Sequence, residues 1–115
     1  MNKDQKNILI DIDGTVSDDI PNEQEHLFPD AKVLKDSVDS VNKLYDDNHI
    51  ITFFTARREK DREVTEKWLN DNGFKYHSLL MNKPRGGNYI WIDNLSVNGI
   101  LYKDNWTDII NSLSK

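Results

Sequence analysis

Cysteine is absent from the 115 residues, which excludes a disulfide framework and any thiolate metal site and agrees with a reducing, cytoplasmic setting. No apolar run approaches the ~20 residues of a membrane-spanning helix, so no membrane partner is expected. Repeats, linkers and low-complexity tracts are also missing. Basic residues are outnumbered, with 15 Lys and Arg against 20 Asp and Glu giving a net charge of −5. Without a basic stripe, that balance argues against a nucleic-acid surface while leaving room for a local phosphate site. The polar opening Met1–Asn7 lacks the apolar stretch of a secretion signal, so the sequons Asn94-Leu-Ser96 and Asn105-Trp-Thr107 carry no weight. What is present, 37% hydrophobic and 30% charged residues, suits one globular domain over 1–115 with a single core.

One stretch stands out against that background. Asn7-Ile-Leu-Ile-Asp11-Ile-Asp13-Gly14-Thr15-Val16 runs from apolar residues into two carboxylates and a glycine. A short continuous apolar run reads as a strand buried on both faces, as in a parallel sheet. Asp11 and Asp13 then fall at or just past its carboxyl end, where open α/β sheets hold ligands. Alternation sends both side chains to one side. Two like charges so close repel, and each costs free energy to desolvate; a cation or a proton-transfer role is the usual reason to keep such a pair. A calcium loop is excluded, because the glycine comes too early and the twelfth position is Asn22.

Strand and helix signals alternate along the chain, which predicts a parallel α/β sheet. Strands are expected at about 8–12, 50–55, 78–81 and 89–93, with a last edge strand at 100–102. Residues 14–30 read as a polar loop carrying Pro21 and Pro29. A helix is expected from an Asp30 cap to Asp46, with Leu34, Val38, Val41 and Tyr45 at helical spacing. Another is expected from Asp61 to Asn72, with Val64 above Trp68 and Gly73 just past the end. Trp106–Leu113 reads as a closing helix, and Trp68, Trp91 and Trp106 all fall at core spacing.

Three apolar strands thus end in Asp11, Thr55 and Asp93, and Lys83 sits in the loop before the third. Right-handed crossovers bring such ends to one sheet edge, so these groups can share one crevice. Three acids, a hydroxyl and an ammonium suit Mg²⁺ together with a phosphoryl group.

Read in order, Asp11-Ile-Asp13-Gly14-Thr15-Val16, Thr55 after Ile51-Thr-Phe-Phe, Lys83 and Asp93 resemble the four motifs of the haloacid dehalogenase (HAD) superfamily of phosphohydrolases, over residues 7–94. Phe53-Phe-Thr-Ala-Arg57, Trp68-Leu69 and Asn82-Lys83-Pro84 are similar to small capless members, some of them linked to capsule or surface-sugar biosynthesis. The resemblance implies an α/β fold: a Rossmann-like parallel sheet flanked by helices, the HAD-like core without a cap domain. It also implies a Mg²⁺-dependent phosphomonoester hydrolase acting on a small phosphorylated substrate such as a sugar phosphate. Asp11 would be the nucleophile, forming an aspartyl-phosphate, and Asp13 the acid and base. Mg²⁺ would be bound by Asp11, the Asp13 backbone carbonyl and Asp93. Thr55 would hydrogen-bond a phosphate oxygen, and Lys83 would neutralise charge on Asp11 and the transferring group. Gly14 would turn the backbone so that amides there and at Thr15 face the phosphate. Ala56, Arg57 and Asn94 would complete the substrate contacts.

Arg57, Arg58 and Arg85 lie near the expected rim. Arg57 is placed either to grip a second anionic group or to form a surface salt bridge. Where such proteins often carry a second acid beside the fourth motif, Asn94 brings no charge, which implies a weaker Mg²⁺ site. Only 13 residues separate Val16 from Asp30 and 27 separate Thr55 from Lys83, so no cap domain fits. An uncovered site either takes a large substrate or is covered by a neighbouring subunit, and a homo-oligomer stays open. Taken singly, Thr55 is an ordinary strand end, Lys83 a solvated lysine, and Asp18-Asp19 with Glu23 and Glu25 a solvated loop face. His26, His49 and His77 lack ligand spacing. The alternatives to a small-molecule phosphatase are a polynucleotide-end or nucleotide phosphatase and a non-catalytic phosphate-binding module.

Overall fold

The computed structural model describes residues 4–113. Three parallel strands form its sheet in the order β1 (Asn7–Ile10), β2 (Ile50–Phe54), β3 (Ser78–Leu80). Ile10 lies opposite Phe53, and Phe54 opposite Leu80, so all three carboxyl ends share one edge of the sheet. Helices α1 (Ser37–Asp46), α2 (Arg62–Asp71) and α3 (Trp106–Leu113) flank it. A 3-10 segment, Asn22–Asp30, packs against α2. This is the helix-flanked parallel α/β arrangement that the alternating signals predict.

The core forms around β2. Ile51 and Phe53 are buried on it, as a strand with neighbours on both sides requires. The Phe53 ring meets Phe74 and Tyr76 edge-on at 5.6 and 5.5 Å, and Phe74 stacks on Trp68 at 5.6 Å. Helix α2 delivers Trp68 and ends in a left-handed Gly73 (φ +82°). There the amide of Phe74 bonds back to Leu69 and that of Gly73 to Asn70. These paired bonds satisfy carbonyls the helix end would otherwise leave open, and they seat Phe74 beside Trp68.

Several boundaries differ from the sequence expectation for a physical reason. Strand β1 stops at Ile10, because the carbonyl of Ile12 collects the amides of Thr15, Val16 and Ser17 in a tight loop. Helix α1 begins at Ser37 rather than near Asp30. The backbone of 32–34 is already engaged with 16–18, through Asp18 N–H to Lys32 O and Leu34 N–H to Val16 O. Asp36, in a left-handed turn (φ +65°), then starts the helix without capping it through its side chain.

The larger corrections lie near the end of the chain. Residues 89–93 and 100–102 form no strand. Gly86, Gly87 and Asn88 all have positive φ, which turns the chain out of the extended form a strand needs. Ile90 and Ile92 are 85% and 92% exposed, and Trp91, expected in the core, is 56% exposed. A short apolar run forms a strand only when a sheet edge receives it. Among the described residues no helix is long and apolar enough to cross a membrane.

Candidate active site

A cleft of about 180 Å³ opens at the carboxyl edge of the sheet. The loop after β1 contributes Asp11 and Asp13; Ala56 follows β2; Lys83, Arg85, Gly86 and Tyr89 follow β3; Asp19, Ile20, Pro21 and Asn22 close the remaining side. A larger hollow of about 410 Å³ lies at the opposite edge, between Lys6, Lys43, His49 and Leu113. It gathers none of the strand-end groups, so the chemistry belongs to the smaller cleft.

Lys83 Nζ stands 3.6 Å from Asp11 Oδ1. Its backbone is fixed by two bonds, Asn82 N–H to Arg57 O and Lys83 N–H to Thr55 O, at 2.8 and 2.9 Å. Asn82 adopts the left-handed form (φ +64°) that this approach demands, one that asparagine tolerates. Burial pushes the Asp11 carboxyl up from its ordinary value, and the Lys83 ammonium opposes that shift. The Thr15 hydroxyl reaches Asp11 Oδ2 at a long 3.4 Å.

The structure overturns the expectation that amides at Gly14 and Thr15 face a phosphate. Gly14 N–H donates to Ser17 O and Thr15 N–H to Ile12 O, at 2.8 and 3.0 Å. Both donors serve the loop itself. Gly14 is nonetheless needed for its backbone, with φ at +84°. The loop is held from outside by Trp106 of α3, whose indole N–H donates to Thr15 O at 2.8 Å.

Arg57 is neither a rim residue nor part of a surface salt bridge. It is 1% exposed. Its Nε and Nη2 donate to the two oxygens of Asp13 at 3.0 and 2.8 Å, a bidentate pair, and Nη1 donates to Thr65 Oγ1 at 3.0 Å. The guanidinium plane covers the Phe28 ring at 3.7 Å. At that burial a substrate anion does not reach this side chain. Thr55 is fully buried and outside the cleft wall, its Oγ1 accepting the Arg57 amide at 3.1 Å. It positions the backbone rather than reaching into the cleft.

Asp93 and Asn94 also stand apart. Asp93 is exposed, and the Trp91 indole and the Leu95 amide hold its carboxyl below the ordinary range. Neither residue lines the cleft. Among the described residues no three His, Cys, Asp or Glu side chains gather to hold a metal ion. The residues read as Mg²⁺ ligands are therefore not gathered as expected: Asp11 and Asp13 share the cleft, and Asp93 is elsewhere.

Sequence reasoning missed two parts of the cleft. Asp19, read as a solvated loop acid, is in the wall, because Gly14 lies against it: a Cβ on Gly14 would meet Asp19 Cβ at 3.5 Å. The inward turn of Arg57 had one available signal, an arginine two residues past Thr55 at the sheet edge that also carries Asp13.

With Arg57 paired to Asp13, Lys83 near Asp11, and Asp19 and Arg85 both in the wall, the carboxylates and cations in and behind the cleft are equal in number. An anionic phosphoryl group is not repelled by the cleft as a whole.

Known proteins share this fold. A protein of Vibrio cholerae solved as an MCSG target superposes with a TM-score of 0.59 at 18% identity, covering 95% of both chains. A chain from the structure of the Pnkp1/Rnl/Hen1 complex gives 0.60 at 22% identity over 78% of this chain, which spans 31% of that one. No curated protein matches the sequence. Both likenesses are of fold, a parallel α/β sheet flanked by helices. A family model narrows this: that of PITM 1-3, LNS2 domain, matches residues 8–91. The chain belongs to the LNS2 domain family, whose fold is that of HAD-like phosphatases.

Proposed function

We propose that this chain is a capless phosphomonoester hydrolase that works through an aspartyl-phosphate on Asp11. The observation that carries the reading is the Asp11–Lys83 pair at 3.6 Å, set in the same cleft wall as Asp13. In the first step an Asp11 oxygen attacks phosphorus and the bond to the leaving oxygen breaks, its electron pair departing with that oxygen, which takes a proton from Asp13. Lys83 offsets charge on Asp11 and on the transferring group. In the second step water attacks phosphorus, the bond to Asp11 breaks, and the water proton passes to Asp13. Such a cleft takes a phosphoryl group and little more, since pockets for whole drug-sized ligands begin at about 300 Å³. The rest of the substrate, a sugar in our reading, stays at the rim beside Arg85 and Tyr89.

The test is phosphate release from p-nitrophenyl phosphate, sugar phosphates, nucleotides and end-phosphorylated oligonucleotides, each with and without Mg²⁺. Wild type should turn over at least one of them, and Asp11→Asn should fold normally and be silent. Full activity in that variant, or none in the wild type across the panel, refutes the reading.

A further inference from the structure

We propose that Arg57 is the positioning residue for Asp13, holding it as the proton acceptor of the second chemical step; this rests on the phosphatase reading above. The geometry points to it. Both Asp13 oxygens accept N–H groups from one guanidinium, at 3.0 and 2.8 Å. That fork fixes the carboxylate plane, as a bidentate pair does and a lysine could not. The guanidinium is itself held on its remaining sides. Thr65 Oγ1 takes Nη1, and the Thr65 hydroxyl in turn donates to Asp61 O at 2.8 Å. Phe28 covers the flat face. Arg57 therefore cannot follow a substrate, and its orientation is passed on to Asp13.

The fixed carboxylate plane presents Asp13 to the attacking water in the second step. Water then attacks phosphorus, the bond from phosphorus to Asp11 breaks with its electrons returning to that carboxylate, and one water proton moves to Asp13. A nitrophenolate leaving group departs without a proton, so the first step on an aryl phosphate does not need Asp13. Loss of Arg57 should then slow release of phosphate from the enzyme more than formation of the aspartyl-phosphate.

Arg57→Met, Arg57→Lys, Asp13→Asn and the double variant Asp13→Asn/Arg57→Met are compared on p-nitrophenyl phosphate, by rapid mixing and in steady state. We expect Arg57→Met to keep a burst of about one nitrophenolate per chain while kcat falls roughly 10- to 100-fold and KM does not rise. Arg57→Lys should recover part of kcat. The double variant should be no slower than Asp13→Asn alone. Should Arg57→Met fail to fold, Thr65→Val serves instead, since it loosens the guanidinium and leaves the ion pair; a smaller fall of the same kind is expected. Burst and steady state falling together, a raised KM with unchanged kcat, or a double variant slowed by the product of both single effects would each overturn the role. A wild type that turns over no substrate overturns the phosphatase reading and this role with it.

Discussion

Trp106 is the contact through which α3 reaches the loop after Asp11, and replacing it measures that contact. Its ring is buried among the core residues, and its indole N–H bonds Thr15 O across 91 positions of sequence at 2.8 Å. Trp106→Phe keeps most of the apolar surface and deletes the donor. A net hydrogen bond is worth about 1 kcal/mol, and a carbonyl left partly buried without its donor adds a further ~1 kcal/mol. The space vacated by the smaller ring costs ~0.5–1 kcal/mol more. The expected loss is therefore roughly 2.5 kcal/mol, with Trp106→Ala at about 4 kcal/mol. In a chain this size the Phe variant should melt roughly 10–12 °C lower. Urea unfolding followed by far-ultraviolet circular dichroism gives the difference directly, as a lower midpoint with an unchanged slope. Turnover measured in the cold, where the variant is still folded, should also fall as the loop carrying Asp11 loosens. A Phe variant within about 0.5 kcal/mol of wild type would refute the argument, since that is the range of a surface substitution.

Other outcomes follow from the same geometry. The Asp11 carboxyl is raised by burial, so the folded chain binds that proton more tightly than the unfolded one and loses stability as pH rises above the ordinary value. Asp11→Asn should therefore raise Tm at pH 7, with the advantage shrinking below about pH 4; a Tm difference that grows toward acid would contradict this. Gly14→Ala and Gly73→Ala meet no close contact, the nearest atom being 3.5 Å away at Gly14. Each should cost about 1–2 kcal/mol from positive φ alone, and only the Gly14 variant should also lose turnover; equal activity in both would separate the loop from the site. Replacing Arg57 by Met should cost about 3–5 kcal/mol by leaving Asp13 unpaired, whereas adding Asp13→Asn should restore part of it, as a double-mutant cycle in urea would show.

The parts legible in the sequence are those governed by local pattern. Apolar runs before Asp11 and Thr55 mark β1 and β2, and parallel strands by their nature put Asp11, Asp13 and Lys83 at one edge. Gly73 marks the end of α2 because few other residues take its φ easily. The rest depended on competition at a distance. Helix α1 starts late because 16–18 claim the backbone of 32–34, a pairing no periodicity encodes. Arg57 turns inward because Asp13, Thr65 and Phe28, from three separate segments, meet around it. Residues 89–93 carry the apolar run of a buried strand, yet three successive positive-φ residues lead into them and no edge receives them. Pattern states what a segment is able to do, and the neighbours decide whether it does so.

The walls of the cleft differ in how they are built. Asp11, Asp13 and Lys83 hang from strand ends and a buried guanidinium, while Asp19–Asn22 and Arg85–Tyr89 come from stretches that carry little of the core. Changes of length or composition in those two stretches therefore leave the sheet and Asp11 in place. A lineage could exchange one clientele for another by editing these stretches alone, and a designer could graft new rims onto the same frame.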